Sequence, residues 1–348
     1  MWHRRTEVGV SQLGRPATIE DVARIAGVSR AAVSKVIRNA YGVSPGMRER
    51  VSAAIDELDY RPSVAARAMR GSSFTLGIET PGSANHFFAK ILDGAAAALV
   101  GTRYQLIIAP AEDGQREGYR ALEALVDRQV DGLVAVSPLI ASEWLERLAT
   151  RLPVVMLGRH DASVSYDTVV GDDELGARLA MEHLFDLGHT RIAHLTRSEF
   201  VTIPSLGGPH GVRLTVYNSI MEQHGFEPWV CRTGPTNHDA YESAIELLNR
   251  PDRPSAVFAA HDQIALGVLK AMAELGLTPD DVSVVGYDDV EIASHPGIGL
   301  TTVNQSGTYM GATAVEMLIE RIDGRKEVRR VVTTPRLVAR TSSRRLRG

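Results

Sequence analysis

The stretch Thr18-Ile-Glu-Asp-Val-Ala-Arg-Ile-Ala-Gly-Val-Ser-Arg-Ala-Ala-Val-Ser-Lys-Val-Ile37 decides how the rest of the chain is read. Thr18-Ile-Glu-Asp21 is a capping box with Asp in the Glu/Gln place, so a helix starts there. Ile19, Val22, Ala23 and Ala26 then fall at i, i+3, i+4 and i+7, one buried face. Gly27 ends this helix and Ser29 caps a second, whose apolar stripe is Val33, Val36 and Ile37. Ser44 caps a third helix with Pro45 at its first position, and Val51, Ala54, Ile55 and Leu58 supply its inner face. Three short helices with a tight Gly-Val turn between the first two predict an all-α helix-turn-helix unit over residues 17–62. Opposite the stripe of the second helix stand Arg30, Ala31, Ser34 and Lys35. A recognition helix points its N-terminal residues at the bases of the major groove. Arg30 and Lys35 have the reach and donors for guanine O6/N7 or a phosphate, Ser34 for either edge, and Ala31 is small enough for close approach. The plain alternative is a solvated face on a small helical bundle.

Outward from this unit the texture changes twice. Residues 1–16 show scattered charge and no periodicity, the pattern of a disordered extension. They carry Arg4, Arg5 and Arg15 but no apolar core, so they do not read as a signal peptide, and a cytoplasmic protein is expected. Downstream, residues 63–73 have linker composition ending in Gly71-Ser72-Ser73, with room for about two helical turns at 64–70. Beyond Thr75, short apolar runs (Thr75–Ile78, Gln105–Ala109, Gly132–Val136, Val154–Leu157, Arg191–Leu195, Ala256–Ala260, Val282–Gly286) alternate with amphipathic stretches such as Gln115–Arg128, Glu174–Leu187, His210–His224 and Asp262–Leu275. Alternating strands and helices predict parallel sheets with right-handed crossovers. The length is too great for one such sheet, so an α/β domain of two lobes is expected, with a ligand at the carboxyl ends of the strands. The boundaries expected are 74–174 with 304–330 for the first lobe, and 175–303 with 331–345 for the second.

Bulk properties bound the function. The chain has 348 residues, 44% hydrophobic and 23% charged, and no apolar run of the ~18 residues a membrane helix needs. Cys231 is the single cysteine, which excludes an internal disulfide and a cysteine metal cage. Net charge is −4, yet Met1–Arg70 holds twelve Arg/Lys against seven acids, a surplus of five that leaves the remainder at −9. Such asymmetry suits a basic nucleic-acid module joined to an acidic body.

The sequence resembles the LacI/GalR (lactose/galactose repressor) family of bacterial transcriptional regulators. Thr18–Ile37 matches the start of these repressors almost position for position. The likeness continues in Val43-Ser44, Arg48-Glu-Arg-Val51, Tyr60-Arg-Pro62, Asn85-His-Phe-Phe88, Val130-Asp-Gly-Leu133, His183-Leu-Phe-Asp-Leu-Gly-His189, Asp281-Val-Ser-Val-Val-Gly-Tyr-Asp-Asp289 and Leu300-Thr-Thr-Val303. It implies a helix-turn-helix, a hinge helix, and a sensor shaped like a periplasmic sugar-binding protein. It also implies a ligand-responsive repressor that binds a palindromic operator as a homodimer, without a cofactor or metal. To the DNA-facing residues it adds Thr18, Ser29 and Arg38. In the hinge it adds Ser63, Ala66, Arg67 and Met69, the last standing where the family usually has Leu and acting as a minor-groove wedge. Arg344-Arg345-Leu-Arg-Gly348 lacks apolar heptads, so a dimer rather than a tetramer is expected.

A polyhydroxylated effector needs planar bidentate groups and an apolar face. Arg159, Arg213 and Asp288 have the bidentate groups and Phe87 or Phe88 the face, and the resemblance puts each near the cleft. His261 occupies the place usually held by Asn, Gly158 stands where many members have Asp, and Val216 replaces a common Gly. A sugar or sugar derivative is expected, with a nucleoside or purine as the alternative. Asp262 has the position of a helix N-cap. An enzyme would need His261, Asp262 and Asp288 as an acid/base cluster, or His183, His189 and His194 as metal ligands. His189 after Gly188 instead suggests contact with the last helix carbonyls. Phosphate-loop, nucleophile-elbow and His-Glu-x-x-His motifs are absent. A sugar receptor without DNA activity is the other alternative, opposed by the helix-turn-helix.

Overall fold

A computed structural model describes residues 17–37, 40–60, 72–82, 85–111, 115–203 and 207–346, apart from the Gln115 and Phe200 side chains. The expected extension at 1–16, Arg38, and the hinge residues Ser63, Ala66, Arg67 and Met69 lie outside the described residues. The chain divides into two compact units, residues 1–73 and 74–348.

In the first unit the described elements are three helices: α1 (Ile19–Ala26), α2 (Arg30–Ile37) and α3 (Pro45–Glu57). Thr18 and Asp21 close the capping box reciprocally, and Gly27 takes the left-handed conformation (φ 64°) that stops α1. Ser29 Oγ accepts from the Ala32 N–H, and Ser44 Oγ from that of Met47. Val22, Ala26, Val33, Val36, Val51, Ala54 and Tyr60 bury together. That single cluster is what three helices this short need, since none is stable alone.

The second unit contains two six-stranded sheets. The first consists of β1 (Thr75–Pro81), β2 (Gln105–Ala111), β3 (Gly132–Val136), β4 (Val154–Leu157), β5 (Asp167–Gly171) and β11 (Arg330–Thr333), in the order β11-β5-β4-β3-β1-β2, all parallel. The second consists of β6 (Ile192–Arg197), β7 (Trp229–Thr233), β8 (Ala256–Ala259), β9 (Ser283–Tyr287), β10 (Thr301–Asn304) and β12 (Arg336–Val338), in the order β12-β10-β9-β8-β6-β7, with only β12 antiparallel. Along β3, Leu133 and Ala135 enter one core while Val134 and Val136 enter another. Both faces are covered, which is why the strands read as unbroken apolar runs.

The covering helices are α4 (Phe87–Ala98), α5 (Gln115–Asp127), α6 (Ser142–Ala149), α7 (Asp173–Asp186), α8 (Pro209–Gln223), α9 (Asn237–Leu248), α10 (Asp262–Glu274) and α11 (Gly307–Ile322). Helices α4 and α11 touch backbone to backbone. A methyl on Gly94 would lie 1.9 Å from the Thr308 carbonyl oxygen, and one on Gly311 2.0 Å from that of Ile91.

The chain passes between the sheets three times, at 171–173, 304–307 and 333–336. These spans are tied together: the Asp172 N–H donates to the Thr333 carbonyl (3.0 Å), and the Thr333 hydroxyl to the Gln305 carbonyl (3.1 Å). The last crossing corrects the expected lobe boundary. Arg330–Thr333 pairs with β5 in the first sheet, and the chain joins the second only at Arg336. The register of four backbone partners decides this, and no apolar run marked it. A further correction concerns a cap. His261, not Asp262, caps α10, its Nδ1 accepting from the Ile264 N–H at 3.3 Å. His189 does meet the end of the preceding helix, its backbone N–H donating to the Leu184 carbonyl (3.1 Å), while its ring meets Ser255 Oγ and the Arg344 carbonyl.

Candidate effector cavity and DNA-binding helices

Each sheet of the second unit runs in the order 2-1-3-4-5, apart from its added edge strand, so neighbouring connections part between β1 and β3, and between β6 and β8. Crevices open at such switch points, beyond the carboxyl ends of strands. A cavity of about 600 Å³ lies there, within the usual range for small-molecule sites. Nearly every strand of both inner halves sends a residue to it from its carboxyl end or just past it: Asn85, Ser137, Arg159, Asp173, Arg197, His261, Asp288 and Gln305. Phe87, Phe88, Leu157, Pro209 and Met310 add an apolar lining.

The polar wall is an ordered network. Arg213, almost fully buried, donates from Nε to Asp173 Oδ1 (2.8 Å) and from Nη1 to the Ala260 carbonyl (2.7 Å). Its guanidinium lies 3.5 Å over the Tyr287 ring. Burial works against ionising Asp173, but Arg213 and His160 outweigh it and hold the carboxyl below its ordinary range. His160 Nε2 meets Asp173 Oδ2 at 2.8 Å from the first lobe. Asp288 takes hydrogen bonds from Gln305 Nε2 (2.5 Å) and, across the cleft, from Asn85 Nδ2 (3.3 Å). Burial pushes its pKa up to about 6, against the pull of Arg213 and these two donors. It sits at φ 115°, a conformation L-residues rarely adopt, and Asp289 follows at φ 51°. The Asp288 N–H and the carboxylates of Asp289 and Asp262 are all bonded to the rest of the fold: to the Val303 carbonyl, to Asn304 and Arg340, and to Thr302 and Val290.

On the first unit, α2 presents Arg30, Ala31 and Lys35 as exposed side chains, with Ser34 half-buried. Arg30 Nη1 lies 2.9 Å from Glu20 Oε1. Both groups are more than half exposed, so this pair contributes at most about 1 kcal/mol and yields readily to a phosphate or base.

Residues 18–63 match the bacterial regulatory proteins, lacI family, and residues 181–343 the periplasmic binding protein-like domain. The chain is 33% identical to the HTH-type transcriptional repressor PurR of Photobacterium profundum, over 94% of its own length and 98% of the relative's. It is equally 33% identical to the ribose operon repressor of Escherichia coli, over 94% of this chain and all of that one. Among solved structures, the lac repressor dimer bound to operator and the anti-inducer ONPF matches with a TM-score of 0.77 and 30% identity, over 95% of this chain and 100% of that one.

The chain belongs to the lacI family of bacterial regulatory proteins. It has the LacI-like two-domain fold and is a DNA-binding transcriptional regulator; its relatives are repressors, not enzymes.

In this lacI-family protein the six residues expected at the effector (Phe87, Phe88, Arg159, Arg213, His261, Asp288) all line this cavity. The arginine forks, expected to face a ligand, face protein groups. Arg159 closes on Asp161 from Nε (3.0 Å) and Nη2 (2.7 Å) and donates from Nη1 to the carbonyls of Pro138 and Ile140 (2.8 Å each). One of its five N–H groups remains for a ligand. Arg213 is similarly engaged by Asp173. Gly158 is required locally: it lies at φ 86°, and a Cβ there would meet Ser137 Oγ at 2.5 Å.

Asn85, Asp173, Arg197, His210 and Gln305 were missed as cavity residues. Asp173 did carry a signal, as the second of two adjacent Asp at a helix start. Asp172 caps α7 through the Leu175 N–H, which leaves Asp173 spare. Thr18 and Ser29, expected at DNA, serve as caps. Among the described residues no group of His, Cys, Asp or Glu is arranged to hold a metal ion, and none of the helices is long and apolar enough to cross a membrane.

Proposed function

We propose that α2 reads operator bases with Arg30, Ala31, Ser34 and Lys35, and that a sugar-like effector in the cavity controls that binding. One observation carries the effector reading: side chains from the carboxyl ends of strands in both lobes converge on a single cavity whose wall holds Asp288 and Arg213 and whose face holds Phe87 and Phe88. Asp288 accepts hydroxyl hydrogen bonds and a phenylalanine ring covers a sugar face. The relatives include a ribose operon repressor, and a similar structure is a transcriptional regulator CelR-cellobiose complex.

One helix-turn-helix reads one half-site, so the protein acts as a two-fold dimer on a palindrome. The similar lac repressor is a dimer bound to operator. Phe74, the first residue of the second unit, supports a route for control. Its N–H donates to Asp131 Oδ2 at 2.7 Å, and its ring lies against Tyr104 and under Arg103. The point where the linker enters is thus fixed on the first lobe and follows that lobe when the cleft closes.

The test is fluorescence anisotropy of a palindromic duplex with the full chain, with and without a panel of sugars. An active effector changes operator affinity about 5- to 150-fold, and operator changes effector affinity by the same factor. Asp288→Ala loses the response and keeps operator binding. Equal effector affinity with and without operator refutes the reading.

A further inference from the structure

One corner of the cavity lies at the start of two helices. Helix α8 begins there at Pro209, with Gly208 as an N-cap that offers no side chain, and α10 begins there with His261 as its cap. Helix N-termini carry unpaired N–H groups and a partial positive charge. His261 is 3% exposed and lines the cavity. Its Nδ1 accepts the Ile264 N–H, so its proton resides on Nε2. That Nε2–H meets no acceptor among the described residues. His210 packs edge-on against it at 5.4 Å between ring centroids, and its buried Nδ1 also has no partner. Arg197 and Arg213 line the same cavity. The nearby carboxylates are committed elsewhere: Asp173 to Arg213 and His160, Asp288 to Asn85 and Gln305.

We propose that this corner takes an anionic substituent of the effector, a carboxylate or a phosphate, with His261 and His210 as the selecting residues. The inference rests on the cavity being the effector site and names the effector's class, an acidic or phosphorylated polyol. A carboxylate or a dianionic phosphate is acceptor-only and suits a corner where the unpartnered His261 Nε2–H stands beside two helix N-termini. A neutral polyol leaves that N–H facing a hydroxyl that itself carries a proton. Both rings are neutral: burial first, then the His261 ring for His210, and the Arg197 and Arg213 charges for both, hold their pKa values well below the ordinary range. The charged or titratable groups facing the pair are Arg197 and His194 on β6, Arg213 on α8, and Asp173 and Asp288 across the cavity. An anion placed against the rings reverses their balance, so binding takes up a proton.

The experiment is histidine-selective 15N NMR and calorimetry on the full chain. The probes are acetate, inorganic phosphate, glucuronate and glucose 6-phosphate, with glucose as the neutral comparison. The expected result is a proton on His261 Nε2 in the free protein, saturable shifts of both rings with an anion, and affinity about tenfold or more above glucose for the matched acid or phosphate. Acetate and glucuronate against the two phosphates tell carboxylate from phosphate. Glucuronate, whose own charge is constant between pH 6 and 8, binds more tightly as pH falls. His261→Asn removes the anion preference and the His210 response, and retains operator binding. The proposal is overturned if all four anions leave both rings unshifted, or if His261→Asn and His210→Asn keep the full preference. Anions inert while a neutral sugar alters operator affinity sinks the corner and leaves the effector site standing. Anions that shift the rings with no effect on operator binding support the corner and sink the control.

Discussion

Glu79 lies in the middle of β1, 1% exposed, with Val136 N–H donating to its Oε2 at 3.0 Å. Burial pushes its carboxyl from 4.5 up to about 8, and the Val136 bond and the Arg159 charge only partly oppose this. At neutral pH the folded protein therefore keeps Glu79 protonated, while the unfolded chain ionises it. The folded pKa is raised, so the native state binds more protons than the unfolded one between pH 4.5 and 8. Stability falls with rising pH across that window. Glu79→Gln keeps the acceptor for Val136 and removes the titration. Linkage with 4.5 and about 8 gives the variant an advantage of about 3 kcal/mol at pH 7 and under about 1 kcal/mol at pH 5. The assay is urea unfolding of wild type and variant at both pH values, followed by fluorescence; Trp144 and Trp229 both report on the second unit. A gap that does not change between pH 5 and 7, or a variant less stable at both, would refute the reasoning. Either result would mean that Glu79 is ionised in the fold with Arg159 as its counter-charge.

The other predictions follow the same logic. Asp173→Asn leaves the Arg213 charge buried without its partner and should cost about 3–5 kcal/mol in urea unfolding; a loss below about 1 kcal/mol would show a second counter-charge. Arg30→Ala should weaken operator binding by about 1–3 kcal/mol and relax one base pair per half-site in a binding-site selection, whereas a uniform loss across sequences would make it a phosphate contact. Gly94→Ala should force α4 and α11 apart and cost more than about 1–3 kcal/mol, because the atom in the way is a backbone oxygen; unchanged melting would contradict the close approach. A neutral sugar held by the Asp288 carboxylate should bind more tightly as pH rises through about 6, and Asp288→Asn should flatten that profile in calorimetry.

Much of the architecture was legible because burial on both faces writes itself as apolar runs. Gly132–Val136 and Val154–Leu157 are fully buried strands, and both stand out in the sequence. Four of the five strands that escaped notice carry charges. Asp167 opens β5 and is wholly buried, yet it is held by Arg325 (2.5 Å), a partner from far along the chain. Arg232 sits inside the edge strand β7, and β11 and β12 each begin with arginine. In the cavity, Arg213 and Asp288 were readable from local motifs. What they do was not, because Asp173 lies 40 residues from Arg213, and Asn85 lies 203 from Asp288. Only the fold decides which donors are already spent and which, like the His261 Nε2–H, are left over.

The three spans between the sheets behave mechanically as one strap. Side by side and cross-tied through Asp172, Thr333 and Gln305, they share a common bending axis. Bending about that axis leaves the cross-ties at their lengths. Shearing or twisting one lobe over the other pulls the spans past each other and breaks them. The lobes are thereby left with a single soft motion, opening and closing. Gln305 belongs both to the strap and, through Asp288, to the cavity wall. A ligand that drew on Asp288 would therefore also pull on the axis on which the lobes turn.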